Sequence, residues 1–117
     1  MALPRKYRLS KKDLGLVKKE GRLLSGPFFS LLTLEDGDSD NSQFAFVVSR
    51  KIDKRAVVRN RVRRLLAEAV RLNLDCFDDN LKLVFLTKPA IVKISLAEIE
   101  DSLRKLIGKS AEKIKKP

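Results

Sequence analysis

The sequence predicts a single α+β domain, a two-layer α/β sandwich in which helices pack on a small sheet. Its 117 residues suit one domain. Segments with the apolar spacing of a helix alternate with short runs typical of strands, in the order helix, strand, strand, helix, strand, helix. We therefore expect one domain over residues 1–117, with a frayed basic tail from about residue 109 onward.

Capping and turn residues place the elements of the first half. Ser10 and Asp13 form a variant capping box that predicts the start of the first helix, and Gly21 predicts its end. The run Pro27–Leu34 lacks helical spacing and predicts a strand, as does the alternating run Gln43–Ser49. Because these strands follow one another along the chain, we expect them to pair as an antiparallel hairpin.

The second half predicts a helix, a strand and a final helix. Ala56–Asn73 has helical spacing, and Lys82–Thr87 is a strand that Pro89 ends. Ser95 starts the last helix with a capping box, and Gly108 predicts its end. The apolar residues expected to share the buried face of the first of these helices are Val58, Val62, Leu65, Ala69 and Leu72. Two strands that bracket a helix predict a crossover unit.

The chain is strongly basic. It carries 26 Lys and Arg against 15 Asp and Glu, a net charge of +11. Self-repulsion of this kind is offset when a polyanion binds, so we expect a nucleic acid or an anionic membrane surface as the partner. No apolar run approaches the roughly 20 residues that span a bilayer, and the N-terminus lacks the apolar core of a signal peptide. These features predict a cytoplasmic protein.

Several kinds of catalytic site are excluded by composition. The chain has no histidine, and Cys76 is its only cysteine. Neither an internal disulfide, a zinc site nor a Cys-His nucleophile can therefore be built, and we expect Cys76 to be a small buried hydrophobe. Asp36, Asp38 and Asp40 alternate as in a calcium loop but lack the glycine and glutamate that such a loop needs. We expect a solvated turn there, and no metal or cofactor bound by the protein.

One segment holds most of the excess positive charge. Residues 50–71, here called the basic segment, contain nine cations against two carboxylates, Asp53 and Glu68, a net charge of plus seven. The cations are Arg50, Lys51, Lys54, Arg55, Arg59, Arg61, Arg63, Arg64 and Arg71. Arginine prevails over lysine, and its planar fork binds phosphate oxygens in pairs and stacks on bases. The segment is typical of an RNA-binding surface.

A helical wheel separates the apolar face of this helix from its polar face. At about 100° per residue, Asn60, Arg61, Arg64 and Arg71 fall together away from the apolar stripe. Asn60 adds a neutral donor and acceptor within the field of the cations. The loop cations precede the helix, whose first free N–H groups also favour an anion. A solvated basic helix without a ligand is the alternative interpretation.

The sequence from Val47 to Arg71, VVSRKIDKRAVVRNRVRRLLAEAVR, closely resembles the signature of the bacterial ribonuclease P protein family. The hallmark of that signature is the Arg-Asn-Arg element at Arg59, Asn60 and Arg61. The likeness extends to Tyr7 near the N-terminus and to the run Thr87–Ala90. It implies a sandwich like the second domain of a small-subunit ribosomal protein, with a left-handed crossover where the pattern alone predicts a right-handed one.

The resemblance also implies a function. Members of the family bind the catalytic RNA of ribonuclease P and assist it in removing the 5′ leader from precursor tRNA, and the RNA carries the chemistry. Mg²⁺ is then expected for the holoenzyme, with no protein partner required. By this likeness Arg50, Lys51, Arg59–Arg61 and Arg64 face the catalytic RNA.

The family holds the single-stranded leader in a cleft between the first helix and the sheet, where aromatic side chains stack on bases. This chain departs from that pattern, with Leu14 and Lys18 on the helix and Leu32 on the strand. Leader binding is then expected to be weaker or more electrostatic, because stacking on an aromatic contributes about 1–3 kcal/mol per base. Phe29 and Phe44 or Phe46 are further candidates, although a core role is favoured for each.

Three alternative functions come from other classes. The main one is a structural RNA-binding protein of the ribosomal type, which would use the same cationic helix on ribosomal RNA. An autonomous nuclease would need carboxylates to hold magnesium. Binding to a membrane surface is disfavoured, because the apolar face of the helix is needed for the core.

Overall fold

The computed structural model describes residues 3–35, 41–77 and 80–115, with side chains as far as residue 108. Its helices are α1 (Lys11–Glu20), α2 (Ala56–Leu72) and α3 (Leu96–Lys115). Its strands are β1 (Arg22–Ser25), β2 (Phe29–Glu35), β3 (Gln43–Val47) and β4 (Leu81–Thr87), and short 3₁₀ turns cover Arg5–Tyr7, Leu74–Cys76 and Pro89–Lys93. The predicted α+β order is confirmed, with β1 as an additional strand. The predicted turn at Asp36, Asp38 and Asp40 lies outside the described residues.

The four strands form one sheet in the order β1-β2-β4-β3. β2 pairs antiparallel with both β1 and β4, whereas β3 and β4 pair in parallel. The predicted hairpin between β2 and β3 is therefore wrong, because β4 lies between them. β2 instead forms its hairpin with β1, which the sequence analysis missed because only Leu23 and Leu24 suggest a strand there. The crossover β3-α2-β4 joins adjacent parallel strands, as predicted, and its hand stays a prediction.

The two faces of the sheet carry different layers. α2 and α3 cover the face that contains Leu31, Phe44 and Phe85, and these residues form the main core. α1 covers part of the opposite face, where Leu32 and Val84 are buried in a smaller cluster. Both faces of the central strands are thus apolar, which explains why the runs of β2 and β4 do not alternate cleanly with polar residues.

A cap starts α1, and apolar packing and an ion pair hold the helix on its face of the sheet. The Ser10 hydroxyl accepts a hydrogen bond from the backbone N–H of Asp13 (3.2 Å), and Leu9 and Leu14 pack against the smaller cluster. The Asp13 carboxylate also forms an ion pair with the buried Nζ of Lys82 on β4 (3.2 Å). The predicted cap at Ser10 is therefore confirmed, and the carboxylate of Asp13 in the first turn binds the helix to the sheet.

Val62 and Ala69 of α2 are buried as predicted, but the buried face as a whole is rotated from the predicted stripe. Leu66 and Val70 are fully buried, whereas Leu72, predicted to be buried, is 51% exposed. The rotation follows from α3, since α2 packs against the sheet and α3 together. Buried Asn73 marks this contact, because its Nδ2 donates to Glu100 Oε1 of α3 (3.0 Å).

Three further predictions in the second half are wrong. α3 starts at the predicted Ser95 cap, whose hydroxyl accepts from the N–H of Glu98 (3.3 Å), but it passes through Gly108 and ends at Lys115. A glycine inside a helix costs only about 1 kcal/mol relative to alanine, so it is tolerated there. The predicted frayed tail is accordingly helical as far as Lys115. Cys76, predicted to be buried, is exposed in a 3₁₀ turn.

The turn between β1 and β2 leaves no room for a side chain at Gly26. A Cβ there would lie 2.9 Å from the carbonyl oxygen of Phe29 and 3.0 Å from Cδ1 of Leu106, whereas a Cβ at Gly15 in α1 would meet nothing within 4 Å. We expect Gly26→Ala to lower the free energy of unfolding by about 1–3 kcal/mol. Gly15→Ala, the matched control, should raise it by about 0.5–1 kcal/mol. Chemical denaturation measures both, and equal effects of the two substitutions would contradict this packing.

Candidate nucleic-acid interface

The loop between β3 and α2 is ordered by one aspartate. Asp53 Oδ1 accepts from the backbone N–H of Arg55 (2.8 Å) and from its Nε (3.1 Å), and Nη2 of Arg55 donates to Oδ2 (3.0 Å). These hydrogen bonds from Arg55 lower the pKa of the Asp53 carboxyl from 3.8 to about 2. The carboxylate therefore stays ionised and fixes the chain where it enters α2.

Three arginines on the first turns of α2, Arg59, Arg63 and Arg61, donate hydrogen bonds within the protein. Nη1 of Arg59 donates to the carbonyl oxygens of Asp53 (3.0 Å) and Lys54 (2.8 Å), which ties the helix to the loop. Arg63 donates to Asn60 Oδ1 (2.9 Å) and to the carbonyl of Val48 (3.2 Å).

Arg61 points in another direction, toward the 3₁₀ turn after β4, where its Nη1 donates to the carbonyl of Val92 (3.4 Å). Two residues of the Arg-Asn-Arg element, Arg59 and Arg61, thus donate hydrogen bonds within the protein and keep further donors for a ligand.

The remaining predicted cations fall into two groups. Arg55 and Arg71 are paired with carboxylates, Arg71 with Glu68 through Nε and Nη2. Four of the predicted interface cations, Arg50, Lys51, Lys54 and Arg64, are exposed and have no intramolecular partner for their side chains within the part of the chain that the structure describes. The first three line a hollow of about 490 Å³ beside the start of α2. These four side chains keep all their donors for a ligand.

The wheel placed Asn60, Arg61, Arg64 and Arg71 together, and the structure separates them. The Arg61 side chain extends toward the carbonyl of Val92, and the Asn60 side chain accepts a hydrogen bond from Arg63. Arg71 lies three turns beyond Asn60, about 16 Å along the helix. Arg64 is the member of this set that remains exposed without an internal partner in the described residues.

The structure divides the residues predicted to line a leader cleft between two faces of the sheet. Leu14 and Leu32 contribute to the apolar cluster beneath α1, and Lys18 is exposed on α1. Phe29 and Phe44 are buried in the main core on the opposite face, and Phe46 packs there against Phe85. Strand parity could have shown this, because Phe29 and Leu32 are three positions apart and must face opposite sides.

Aliphatic residues that the prediction missed surround Leu32 on the α1 face. Leu23 on β1, Val84 on β4 and Ala45 on β3 lie in register with Leu32 across all four strands. These residues can be identified only from the register of the sheet, and the predicted hairpin between β2 and β3 gave the wrong register. This face offers aliphatic surface rather than aromatic rings.

A second opening, here called the N-terminal groove, was also missed. It has a volume of about 600 Å³ and lies between the segment before α1, strand β3 and helix α2. Its lining residues are Leu3, Arg8, Leu9, Phe44, Ala45, Phe46, Arg63, Arg64 and Ala67. The N-terminal segment reaches this place because Leu9 donates its backbone N–H to the carbonyl of Phe44 (2.9 Å). No pattern in the sequence indicates that pairing.

The family model described as Ribonuclease P matches residues 3–111, nearly the whole chain. The chain belongs to the ribonuclease P protein family. A ribonuclease P protein component from Pelotomaculum thermopropionicum is 34% identical over 99 residues, which cover 85% of this chain and 87% of that protein. One from Acidothermus cellulolyticus is 34% identical over 109 residues, which cover 92% of this chain and 90% of that protein.

Solved structures of the family share the fold. The protein from Thermotoga maritima superposes with a TM-score of 0.78 at 24% identity, covering 87% of this chain and 96% of that one. The protein from Staphylococcus aureus superposes with a TM-score of 0.78 at 19% identity, covering 89% and 94%. The resemblance inferred from the basic segment is confirmed. Membership of the family gives the chain a role in tRNA processing, as a protein subunit of the endoribonuclease.

Two features are absent from the residues that the structure describes. None of the helices there is long and apolar enough to cross a membrane. Among residues 3–35, 41–77 and 80–115, no group of three or more Cys, Asp or Glu side chains is placed to hold a metal ion.

We expect the Asp53 carboxyl to titrate near pH 2, which carbon-13 NMR of its Cγ can measure directly. Its folded pKa lies below the ordinary value of 3.8 because Arg55 donates three hydrogen bonds to it. The contribution of this pair to stability is therefore complete above about pH 4 and is lost as the pH falls toward 2. In Arg55→Gln the midpoint should move back toward 3.8. A midpoint that stays near pH 2 in Arg55→Gln would show that Arg55 does not cause the low pKa of Asp53.

Proposed function

We propose that this protein binds the catalytic RNA of ribonuclease P through the basic segment and assists it in removing the 5′ leader from precursor tRNA. The observation that carries the proposal is the set of exposed cations without internal partners, Arg50, Lys51, Lys54 and Arg64, on a scaffold ordered by Asp53 and Arg59. The ordered backbone fixes the positions from which these side chains extend, so less chain freedom is lost when they bind phosphates.

Some of the cations are proposed to bind phosphates, and others hold the loop and helix in place. Arg64 presents a free guanidinium fork for phosphate oxygens, and the hollow at Arg50, Lys51 and Lys54 offers further donors. Arg59 holds the loop that carries these residues. In this proposal the Arg-Asn-Arg element shapes the surface as well as touching RNA.

The chemistry is assigned to the RNA. The chain has no histidine to act as general acid or base, which supports a role in binding and positioning. Mg²⁺ serves the RNA and its substrate in this proposal. We also propose that the protein is located in the cytoplasm and that it requires no protein partner.

Leader binding is proposed for the face beneath α1. Half-buried Leu14 and exposed Leu23 offer aliphatic contact there, whereas Leu32 is buried in the cluster, and Lys18 lies exposed on the same helix as Leu14. A leader held in this way lacks aromatic stacking, so its affinity depends more on phosphate contacts and falls more steeply with salt.

Cleavage of precursor tRNA at low magnesium, with and without the protein, tests the proposal. We expect the wild-type protein to stimulate the catalytic RNA, and the combined substitution of Arg50, Lys51 and Arg64 by Gln to abolish most of the stimulation. Arg22→Gln is the matched control, because Arg22 is exposed on β1 at the opposite edge of the sheet. No stimulation by folded wild-type protein would favour the ribosomal type of RNA-binding protein, which should then co-sediment with ribosomal subunits.

Single substitutions separate binding from support. We expect Arg64→Ala to weaken RNA binding and to reduce the slope of log affinity against log salt by about 0.7–0.9, without loss of stability. Arg59→Ala should lower the free energy of unfolding by about 1–3 kcal/mol, because it removes two hydrogen bonds from a half-buried guanidinium. Salt titrations and chemical denaturation of both variants provide the comparison. Identical behaviour of the two would refute the division.

A further inference from the structure

The N-terminal groove combines an apolar floor with a cationic rim. Phe46 and Ala67 contribute the floor, and the guanidinium groups of Arg8, Arg63 and Arg64 lie around it. No carboxylate is among its described lining residues. Its volume of about 600 Å³ is in the range of small-ligand sites. Such a lining suits a flat aromatic group that carries a negative charge.

The groove is open because of one small residue on α2. Ala67 lies three residues after Arg64 and four after Arg63, so its methyl group occupies the position next to both arginines on the helix surface. A longer side chain there would fill the space between them. The opposite wall is fixed, since the backbone of Leu9 is bonded to Phe44 on β3.

The three arginines are available to different degrees. Arg63 is committed to Asn60 and Val48, and Arg8 uses its Nε on the carbonyl of Leu3 (3.1 Å). Arg64 is exposed and has no partner within the described part of the chain. The guanidinium of Arg64 and the remaining donors of exposed Arg8 are therefore available to an anion in the groove.

We propose that the N-terminal groove holds one unstacked nucleotide of RNA, with its base against Phe46 and Ala67 and its phosphate on Arg64 and Arg8. Phe46 is half-buried against Phe85, with ring centroids 5.2 Å apart, so its ring is held in place and offers a stacking surface at little cost in entropy. An acidic peptide would match the charge but offers no base to the aromatic floor. This inference deepens the proposed function and rests on it.

The groove lies at the edge of β3, where its lining combines Leu9 and Ala45, which pack against the smaller cluster beneath α1, with Phe46 of the main core. Phe46 belongs to the core on the side of α2 and α3, whereas α1 covers the opposite face at Leu32. A base bound against Phe46 therefore lies on the same side of the sheet as α2. The single-stranded nucleotide it takes belongs to the RNA that α2 contacts.

The test compares two short single-stranded probes, an oligoribonucleotide of adenosines and the same backbone with abasic sugars. We expect the wild-type protein to bind the adenosine probe about fivefold or more tightly than the abasic probe. Phe46→Leu should bring that ratio close to one and leave the salt dependence unchanged. Arg64→Gln should preserve the ratio and reduce the log-log salt slope for both probes by about 0.7.

Leu23→Ala is the control for the other face, because Leu23 is 55% exposed and in register with Leu32. A base preference that falls with Leu23→Ala and survives Phe46→Leu would overturn the groove assignment. Displacement of the adenosine probe by a phenylalanine-containing polyglutamate peptide as effectively as by RNA would also overturn it, in favour of a protein partner.

Amide chemical shifts of the wild-type protein give a measurement that does not depend on the folding of a variant. The amides of Leu9 and Ala67 should shift with the adenosine probe and stay in place with the abasic probe; no difference between the probes would refute the base site. If the groove assignment fails while the protein still stimulates cleavage by the catalytic RNA, the proposed function stands alone. Loss of that stimulation as well would reject both.

Discussion

The position of β4 between β2 and β3 is the constraint on which the other features depend. β4 pairs antiparallel with β2 and parallel with β3, so its Leu83 and Phe85 face α2 and α3 while Val84 faces α1. A parallel partner requires a long crossover, and α2 is that connection. The loop that carries the first basic residues must therefore leave the carboxyl end of β3 and lead directly into α2. The position of the basic surface is therefore a consequence of the strand order in the sheet.

The few carboxylates near the basic segment organise it rather than neutralise it. Asp53 binds Arg55 and shapes the loop, and Glu68 binds Arg71 at the far end of α2. On the other face, Asp13 holds the buried Lys82 and with it the start of α1. Asp53 orders the loop that enters α2 and Asp13 binds the start of α1 to β4, while Arg64 and the three cations of the hollow beside α2 have no internal partner in the described residues. A basic surface built in this way resists its own repulsion through local hydrogen bonds and remains able to bind phosphate.

The sequence predicted those features that are set locally and missed those set by pairing. Ser10 and Ser95 were correct as caps, because a cap depends on residues three positions away. The hairpin was wrong because alternation shows which side chains share a face and says nothing about the neighbouring strand. Phe29 and Leu32 were placed in one cleft because the cleft was taken from the family resemblance, although alternation along β2 puts them on opposite faces. The motif around Arg59 identified the family, but the internal bonds of Arg59 and Arg63 required the structure.

Adjacent arginines of α2 have different physical roles, and this affects how the family motif should be interpreted. Arg63 is held between Asn60 and the carbonyl of Val48, so its loss disturbs the contact between α2 and β3. Arg64 is exposed beside it without an internal partner in the described residues, so its loss removes a donor from the surface alone. A loss of RNA binding after substitution therefore does not by itself locate a contact. Only a measurement that separates stability from salt dependence can assign each arginine to the scaffold or to the interface.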